Sequence, residues 1–109
     1  MEEQESPCTD CDYYSGTLSG NNDSATVPNG THYYTETYGT HEGWLEGPND
    51  SDFDLYLYKW NQGGWEEIAK SESLSSSEYI TYTGSSGYYY WSVRSYNGAG
   101  PYDIWLNLP

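Results

Sequence analysis

Basic residues are almost missing from this sequence. Lys59, Lys70 and Arg94 are the only three among 109 residues, against 17 acidic side chains and a formal net charge of −14. Nucleic-acid binding depends on neutralising phosphates with a lysine- and arginine-rich surface, so this class of function is excluded. An anionic membrane surface would repel the chain, and no segment approaches the ~18 consecutive apolar residues of a membrane-spanning helix. We therefore expect neither a nucleic acid nor a membrane as partner.

Aliphatic side chains are scarce as well. Leu, Ile, Val and Phe together make up 13 of the 109 residues, and such a low fraction combined with a high net charge is typical of disordered chains. However, the sequence contains 14 Tyr and 5 Trp, and aromatic rings bury a large apolar area per side chain. Because the length suits a single domain, we predict one folded, monomeric domain whose core is built largely from rings.

Helical periodicity is also absent, since no window of about 11 residues repeats apolar side chains at i, i+3, i+4 and i+7. Instead, short runs rich in Tyr, Trp, Thr and Val alternate with clusters of Gly, Asn, Ser, Asp and Pro that are typical of turns. This spacing predicts an all-β fold, a jelly-roll-type antiparallel β-sandwich of about eight strands. The predicted strands are residues 13–19, 31–37, 41–46, 53–60, 65–70, 78–83, 88–96 and 102–108.

Large aromatic residues occupy one face of several predicted strands. Side chains alternate between the two faces of a strand, and Phe53, Leu55 and Leu57 share the face that we predict to be the core. Rings on the opposite faces can stack on sugars or pack against an apolar protein surface, or they can be cross-strand pairs that stabilise the sheet. Both interpretations stay open. The predicted ligand-binding residues are Tyr56, Tyr58, Trp60, Tyr88, Tyr90 and Trp105.

Both cysteines lie near the N-terminus, in a C-x-x-C motif formed by Cys8 and Cys11. A redox motif of this kind needs a βαβ context, which is absent, and a zinc site needs two further ligands nearby. We predict a disulfide between the two residues, as is typical of secreted proteins. Residues 1–12 are predicted to be a linker that carries this pair, and residues 13–109 to be the sandwich. The acidic start has no signal-peptide pattern, so we expect the chain to be a segment of a longer protein.

Three carboxylates alternate along the segment that leads into the strand 53–60. Asp50, Asp52 and Asp54 can supply the hard oxygen ligands that calcium prefers, although the glycine and the distal glutamate of an EF-hand loop are missing. Alternatively, these side chains cap the backbone of a turn. Calcium is the one cofactor that the sequence offers ligands for, and no motif requires any cofactor.

No catalytic motif is visible. A G-x-S-x-G nucleophile elbow and a glycine-rich phosphate loop followed by a helix are both absent. His32 and His41 lie in strand-like segments without an identifiable nucleophile partner, and 17 acidic residues are too many to single out a pair for glycoside hydrolysis. We predict that the chain is not an enzyme.

The order of several short segments resembles the bacterial pre-peptidase C-terminal domain. The resemblance runs from about Tyr14 to Leu108. It rests on S-G-T-L at 15–18, G-W-L-E-G-P at 43–48, D-F-D-L-Y-L-Y at 52–58, G-Y-Y-Y at 87–90, V-R-S-Y at 93–96 and G-P-Y at 100–102. Such domains are β-sandwiches at the ends of secreted peptidases and other hydrolases, and they are similar to the collagen-binding domains of clostridial collagenases.

This resemblance implies a non-catalytic accessory domain of a secreted hydrolase, a peptidase in the first instance, that anchors the enzyme to insoluble protein or aids secretion. Calcium-binding members of the group carry an acidic E-P-N-N-type segment before the first strand, whereas residues 2–7 here are acidic but lack the asparagines. The richness in Trp and Tyr keeps an alternative open, a carbohydrate-binding module of a secreted enzyme that degrades polysaccharides.

Overall fold

The computed structural model describes residues 7–109, and within this range it consists of nine β-strands without a helix. The all-β prediction is therefore confirmed. No helix in the described part of the chain is long and apolar enough to cross a membrane. The strands are β1 (Asp12–Leu18), β2 (Ser24–Val27), β3 (Tyr33–Thr35), β4 (Gly39–Glu46), β5 (Asp52–Asn61), β6 (Gly64–Ser71), β7 (Ser77–Gly84), β8 (Gly87–Asn97) and β9 (Gly100–Asn107).

The strands form two antiparallel sheets that pack face to face. One sheet has the order β1-β9-β4-β7, and the other has the order β2-β8-β5-β6 with β3 also paired to β8. Because β2 and β3 pair with different parts of the same side of β8, they act as one interrupted edge strand. Counted in this way, the eight-strand order is that of a jelly roll.

The strand β2 is the one that sequence patterning missed. It spans only Ser24–Val27 between two turn-rich segments, which is too short for an alternation pattern to be recognised. Its backbone is ordered by pairing with residues 91–94 of β8. The partner strand, which is distant in the sequence, therefore defines this element.

The core lies between the sheets and follows the predicted alternation. Phe53, Leu55 and Leu57 of β5 are fully buried, as are Tyr89 and Trp91 on the inner face of β8. The two rings are among the largest fully buried side chains. They supply apolar area that the few aliphatic residues cannot.

A buried histidine completes the inner face of the four-stranded sheet. His41 on β4 is inaccessible to solvent, its Nδ1 lies 2.8 Å from the Tyr33 hydroxyl, and its ring centroid lies 4.1 Å from that of Tyr89. Burial, together with the nearby positive charge of Lys59, lowers the pKa of His41 to about 4. The imidazole is therefore a neutral part of the core near pH 7.

The N-terminal segment carries the predicted disulfide. Cys8 and Cys11 are joined, with their Cα atoms 5.5 Å apart, and β1 begins at Asp12. Residues 1–6, which include most of the acidic segment 2–7 and half of the predicted linker, lie outside the described residues.

Candidate functional site

A tight hairpin places two tryptophans side by side on the outer face of the five-stranded sheet. Gln62 and Gly63 connect β5 to β6 with φ values of 49° and 91°, the left-handed backbone that two-residue hairpin loops prefer. The hairpin makes Trp60 and Trp65 direct cross-strand partners. Their ring centroids lie 5.3 Å apart in an edge-to-face arrangement.

The central strand β8 adds further rings to the same face. Tyr90 stacks on Tyr58 with centroids 4.7 Å apart and planes only 9° apart. Trp65 and Tyr90 form a T-shaped contact, with their ring centroids 4.8 Å apart. The rings of β5, β6 and β8 are therefore in continuous contact.

Residues of the interrupted edge extend this contact network. His32, which directly precedes β3, lies between Trp65 and Tyr88, with centroid distances of 5.6 Å and 5.5 Å. Tyr34 packs on Tyr88 at 4.9 Å. We call the whole set the aromatic surface, and its members are His32, Tyr34, Tyr58, Trp60, Trp65, Tyr88 and Tyr90.

A shallow cavity of about 390 Å³ opens in the middle of this surface. Four side chains line it, His32, Trp60, Trp65 and Tyr88. The exposed fractions of Trp60, Trp65 and Tyr88 are 44%, 38% and 45%, whereas Tyr58 and Tyr90 are half-buried against each other. The ring surfaces accessible to a ligand therefore belong to the four residues of the cavity and to the neighbouring Tyr34, which is also exposed.

The structure brings together four of the six predicted ligand-binding residues, which are Tyr58, Trp60, Tyr88 and Tyr90. Tyr56 lies on the same strand face but is buried, and its hydroxyl donates a hydrogen bond of 2.5 Å to Glu72 Oε2. Burial and the neighbouring Glu72 carboxylate raise the pKa of Tyr56 above its usual range. Tyr56 is thus a structural residue, which corrects the prediction for this position.

Trp105 also has to be removed from the predicted surface, because β9 belongs to the other sheet. Its cross-strand partners are Tyr13 and Trp44, and Tyr79 follows Trp44 on β7. These four residues form one row across the outer face of the four-stranded sheet. Within the row, Trp105 is only 4% exposed. The ring therefore stabilises its own sheet and lies on the opposite side of the molecule from the aromatic surface.

Three members of the aromatic surface were missed by sequence reasoning, namely Trp65, His32 and Tyr34. The position of Trp65 has a local signal, because a turn at residues 61–64 makes Trp60 and Trp65 partners in any two-residue hairpin. His32 and Tyr34 have no such signal. Only the pairing of β3 with β8 brings them to this face.

A second feature is an acidic cluster at the start of β5, close to the segment that connects β6 to β7. Carboxylate oxygens of Asp52, Asp54 and Glu78 all lie within 4.8 Å of one another. Asp50, which the sequence pattern groups with the two other aspartates, lies outside this set in an exposed turn, where its Oδ1 is 3.4 Å from Ser51 Oγ. The structure thus replaces Asp50 by Glu78 in the group.

The environments of the three clustered carboxylates differ. Both oxygens of Glu78 accept hydrogen bonds, from Ser71 Oγ at 2.6 Å and from the backbone N and Oγ of Ser73 at 3.0 and 2.8 Å. Asp54 is as deeply buried as Glu78, with 5% exposed, but its Oδ1, like that of Asp52, has no hydrogen-bond partner among the described residues. Burial, followed by the charge of Asp52, raises the pKa of Asp54 to about 7.

Comparison with solved structures identifies the fold. No family model matches the sequence. The chain is similar to the pre-peptidase C-terminal domain of collagenase from Bacillus anthracis, with a TM-score of 0.71, 14% identity, and coverage of 89% of this chain and 89% of that chain. The chain has the fold of a pre-peptidase C-terminal domain.

Two further solved structures are similar to this chain. The mitogen of Yersinia pseudotuberculosis is similar with a TM-score of 0.69 and 18% identity, over 92% of this chain and 86% of that one. The periplasmic inhibitor of g-type lysozyme from Aeromonas hydrophila is similar with a TM-score of 0.66 and 12% identity, over 98% and 93%. Since one fold supports different functions, the residues on the surface of this particular domain determine its function.

Proposed function

We propose that this chain is a non-catalytic accessory domain of an exported peptidase, and that its aromatic surface holds the enzyme to insoluble protein substrate. The observation that carries the proposal is the cavity formed by His32, Trp60, Trp65 and Tyr88. Soluble domains rarely expose several contiguous large rings unless another molecule covers them. The likeness to a collagenase domain supports the choice of a peptidase as the attached enzyme.

The chemistry of the aromatic surface fits an apolar, repetitive ligand. Exposed ring faces pack well against proline rings and aliphatic side chains, and Tyr and Trp provide a large contact area at low cost in conformational entropy. The cavity is open and shallow, so it can follow the surface of a fibre that cannot enter a deep cleft. Because the contact is mainly apolar, binding should depend little on salt concentration.

The packing of both histidine rings against other aromatic side chains supports a non-catalytic role for the domain. His41 is fully buried and hydrogen-bonded to Tyr33. His32 packs between Trp65 and Tyr88 on the aromatic surface. Each ring is thus engaged in packing that suits a core or a contact surface.

The same cavity favours a second candidate function, binding to a polysaccharide. Sugar rings stack on the faces of Trp and Tyr, and Trp60, Trp65 and Tyr88 offer three such rings around one cavity. In this case, the domain would be the carbohydrate-binding module of an enzyme that degrades polysaccharides.

A pull-down experiment tests both candidates. The parent domain and the double variant Trp60→Ala/Trp65→Ala are incubated with insoluble collagen, cellulose, chitin and xylan, and the bound fraction is measured. Loss of a contact worth about 1–2 kcal/mol per ring should weaken the binding to collagen by at least roughly tenfold. Tyr96→Ala is the matched control, because this exposed tyrosine lies on β8 about 26 Å from Tyr88.

The outcomes separate the candidates. Retention on collagen that the double variant loses and the control keeps supports the first function. Retention on a polysaccharide alone supports the second. If the parent domain binds none of the four polymers, or if the folded double variant binds as well as the parent, the aromatic surface is not the adhesive site.

A further inference from the structure

We propose that Asp52, Asp54 and Glu78 form a calcium site that links the two sheets. Asp52 and Asp54 belong to β5 in the five-stranded sheet, and Glu78 belongs to β7 at the edge of the four-stranded sheet. Their carboxylate oxygens all lie within 4.8 Å of one another. An ion bound to all three would therefore stabilise the contact between the sheets at the end where β6 passes into β7.

Three carboxylates in close proximity are not by themselves a reason to expect a bound ion. The reason is the burial of Asp54 without a hydrogen-bond partner for one of its carboxylate oxygens. Its side chain is 95% buried, and its Oδ1 has no hydrogen-bond partner in the described part of the chain. An unpaired carboxylate in such a place is strongly unfavourable unless a cation or a proton compensates it. The Oδ1 atom of Asp52 is also buried and without a partner.

The basic side chains closest to the acidic cluster do not compensate the negative charge of Asp54. Lys70 pairs with Glu72, at 3.2 Å between Nζ and Oε1. Arg94 is opposite Asp54 in the register of β5 and β8, but its side chain is exposed, and no ion pair joins the two within residues 7–109. The nearby Glu72 adds negative charge to the region.

The ligand set points to calcium rather than magnesium. Calcium binds carboxylate oxygens at 2.3–2.6 Å, so ligands on opposite sides of the ion are separated by up to about 5 Å, which matches the spread of this cluster. Magnesium keeps several waters and is commonly held by one or two carboxylates. The hydrogen bonds from Ser71 and Ser73 to Glu78 would fix the orientation of that ligand, as outer-shell contacts do in metal sites.

Calcium titration of the chelator-treated protein at pH 8 tests the proposal. Isothermal titration calorimetry should give saturable binding with one ion per chain, and saturating calcium should raise the Tm by roughly 5–10 °C. The same concentration of magnesium should raise the Tm less. Asp54→Asn should lose the response to calcium, and Glu78→Gln, whose amide oxygen can still accept from the serines, should lower the affinity at least ~tenfold.

Asp50→Asn is the matched control, because it removes the same charge from an exposed position of the same segment. This variant should respond to calcium as the parent does. In the presence of chelator, Asp54→Asn should have a higher Tm than the parent, because the unpaired buried charge is gone. A lost calcium response would then not be due to unfolding.

Two results would overturn the proposal. The first is a parent protein without saturable calcium binding and without a change in Tm, which would mean that Asp52 and Asp54 share a proton instead. The second is an equal response in the parent, Asp54→Asn and Asp50→Asn, which would mean that calcium only screens the overall charge of −14. The design does not depend on the aromatic surface, so the function proposed above can fail without affecting it.

Discussion

Tyr58 on β5 and Tyr90 on β8 stack face to face, with centroids 4.7 Å apart and planes 9° apart. The distance equals the spacing of neighbouring strands, so the pair is a direct product of the sheet register. Trp65 makes a T-shaped contact with Tyr90. The faces of the two tyrosines therefore pack on each other, and Tyr90 also contacts Trp65. The rings of Tyr34, Trp60, Trp65 and Tyr88 remain exposed to a ligand.

The first prediction concerns this division of roles. Tyr58→Ala should lower the free energy of unfolding by about 1–2 kcal/mol, because a stacked pair and partly buried area are lost. The variant should reduce polymer binding less than Trp65→Ala does. Urea denaturation measures the first quantity and the pull-down the second. If Tyr58→Ala is as stable as the parent yet binds as weakly as Trp65→Ala, Tyr58 contacts the ligand directly.

The second prediction separates the two outer faces. Trp105→Ala should cost about 3–5 kcal/mol of stability, as is usual for a buried tryptophan, because the ring packs against Tyr13 at a centroid distance of 5.4 Å and is almost fully covered. Polymer binding per folded molecule should stay the same. Denaturation curves and binding measured at a temperature well below the Tm check both parts. A binding loss in the folded variant would return Trp105 to the ligand-binding residues.

The third prediction concerns acid stability and His41. Its pKa is about 4 in the folded domain and ~6.5 in the unfolded chain, so between these values the unfolded state binds more protons. The contribution of the neutral His41 to the free energy of unfolding is complete above pH 6.5. It is lost as the pH falls towards 4, which lowers the free energy of unfolding by an amount on the order of 3 kcal/mol. The groups that face the imidazole are Lys59, Tyr33, Tyr82 and Tyr89.

Asp54 has to be removed from this measurement because its raised pKa acts in the opposite direction over much of the same pH range. We therefore compare Asp54→Asn with Asp54→Asn/His41→Phe by chemical denaturation from pH 4 to 8. The single variant should lose stability as the pH falls below 6.5, and the double variant should lose clearly less. Parallel pH profiles for the two proteins would contradict the assignment to His41.

The fourth prediction tests the packing of the core against a glycine. A Cβ atom on Gly43 of β4 would lie 2.5 Å from Cζ3 of the buried Trp91, so that the indole or the strand has to move. Gly43→Ala should therefore destabilise the domain by about 1–3 kcal/mol. Gly20→Ala, where nothing lies within 4 Å of the added atom, should change stability by less than about 0.5 kcal/mol. Equal Tm values for the two variants would contradict this packing.

Several features of the domain follow from the sequence alone because they depend only on local geometry. The alternation of side chains along one strand decides that Phe53, Leu55 and Leu57 face the core while Tyr58 and Trp60 face outwards. The dense turn residues between short runs decide the all-β class. The proximity of Cys8 and Cys11 in the chain similarly allows their disulfide to be predicted.

Only the tertiary structure decided which strands become neighbours. Trp105 has the same alternation signal as Trp60, yet β9 pairs with β1 and β4, so the ring stabilises the other sheet. Glu78 follows Asp54 by 24 residues and joins the acidic cluster because the chain crosses between the sheets, whereas the much closer Asp50 stays outside. The alternation of side chains is a property of a single strand and can be read from its sequence. The order of the strands results from the burial of both sheets against each other, so it cannot be predicted from any local sequence pattern.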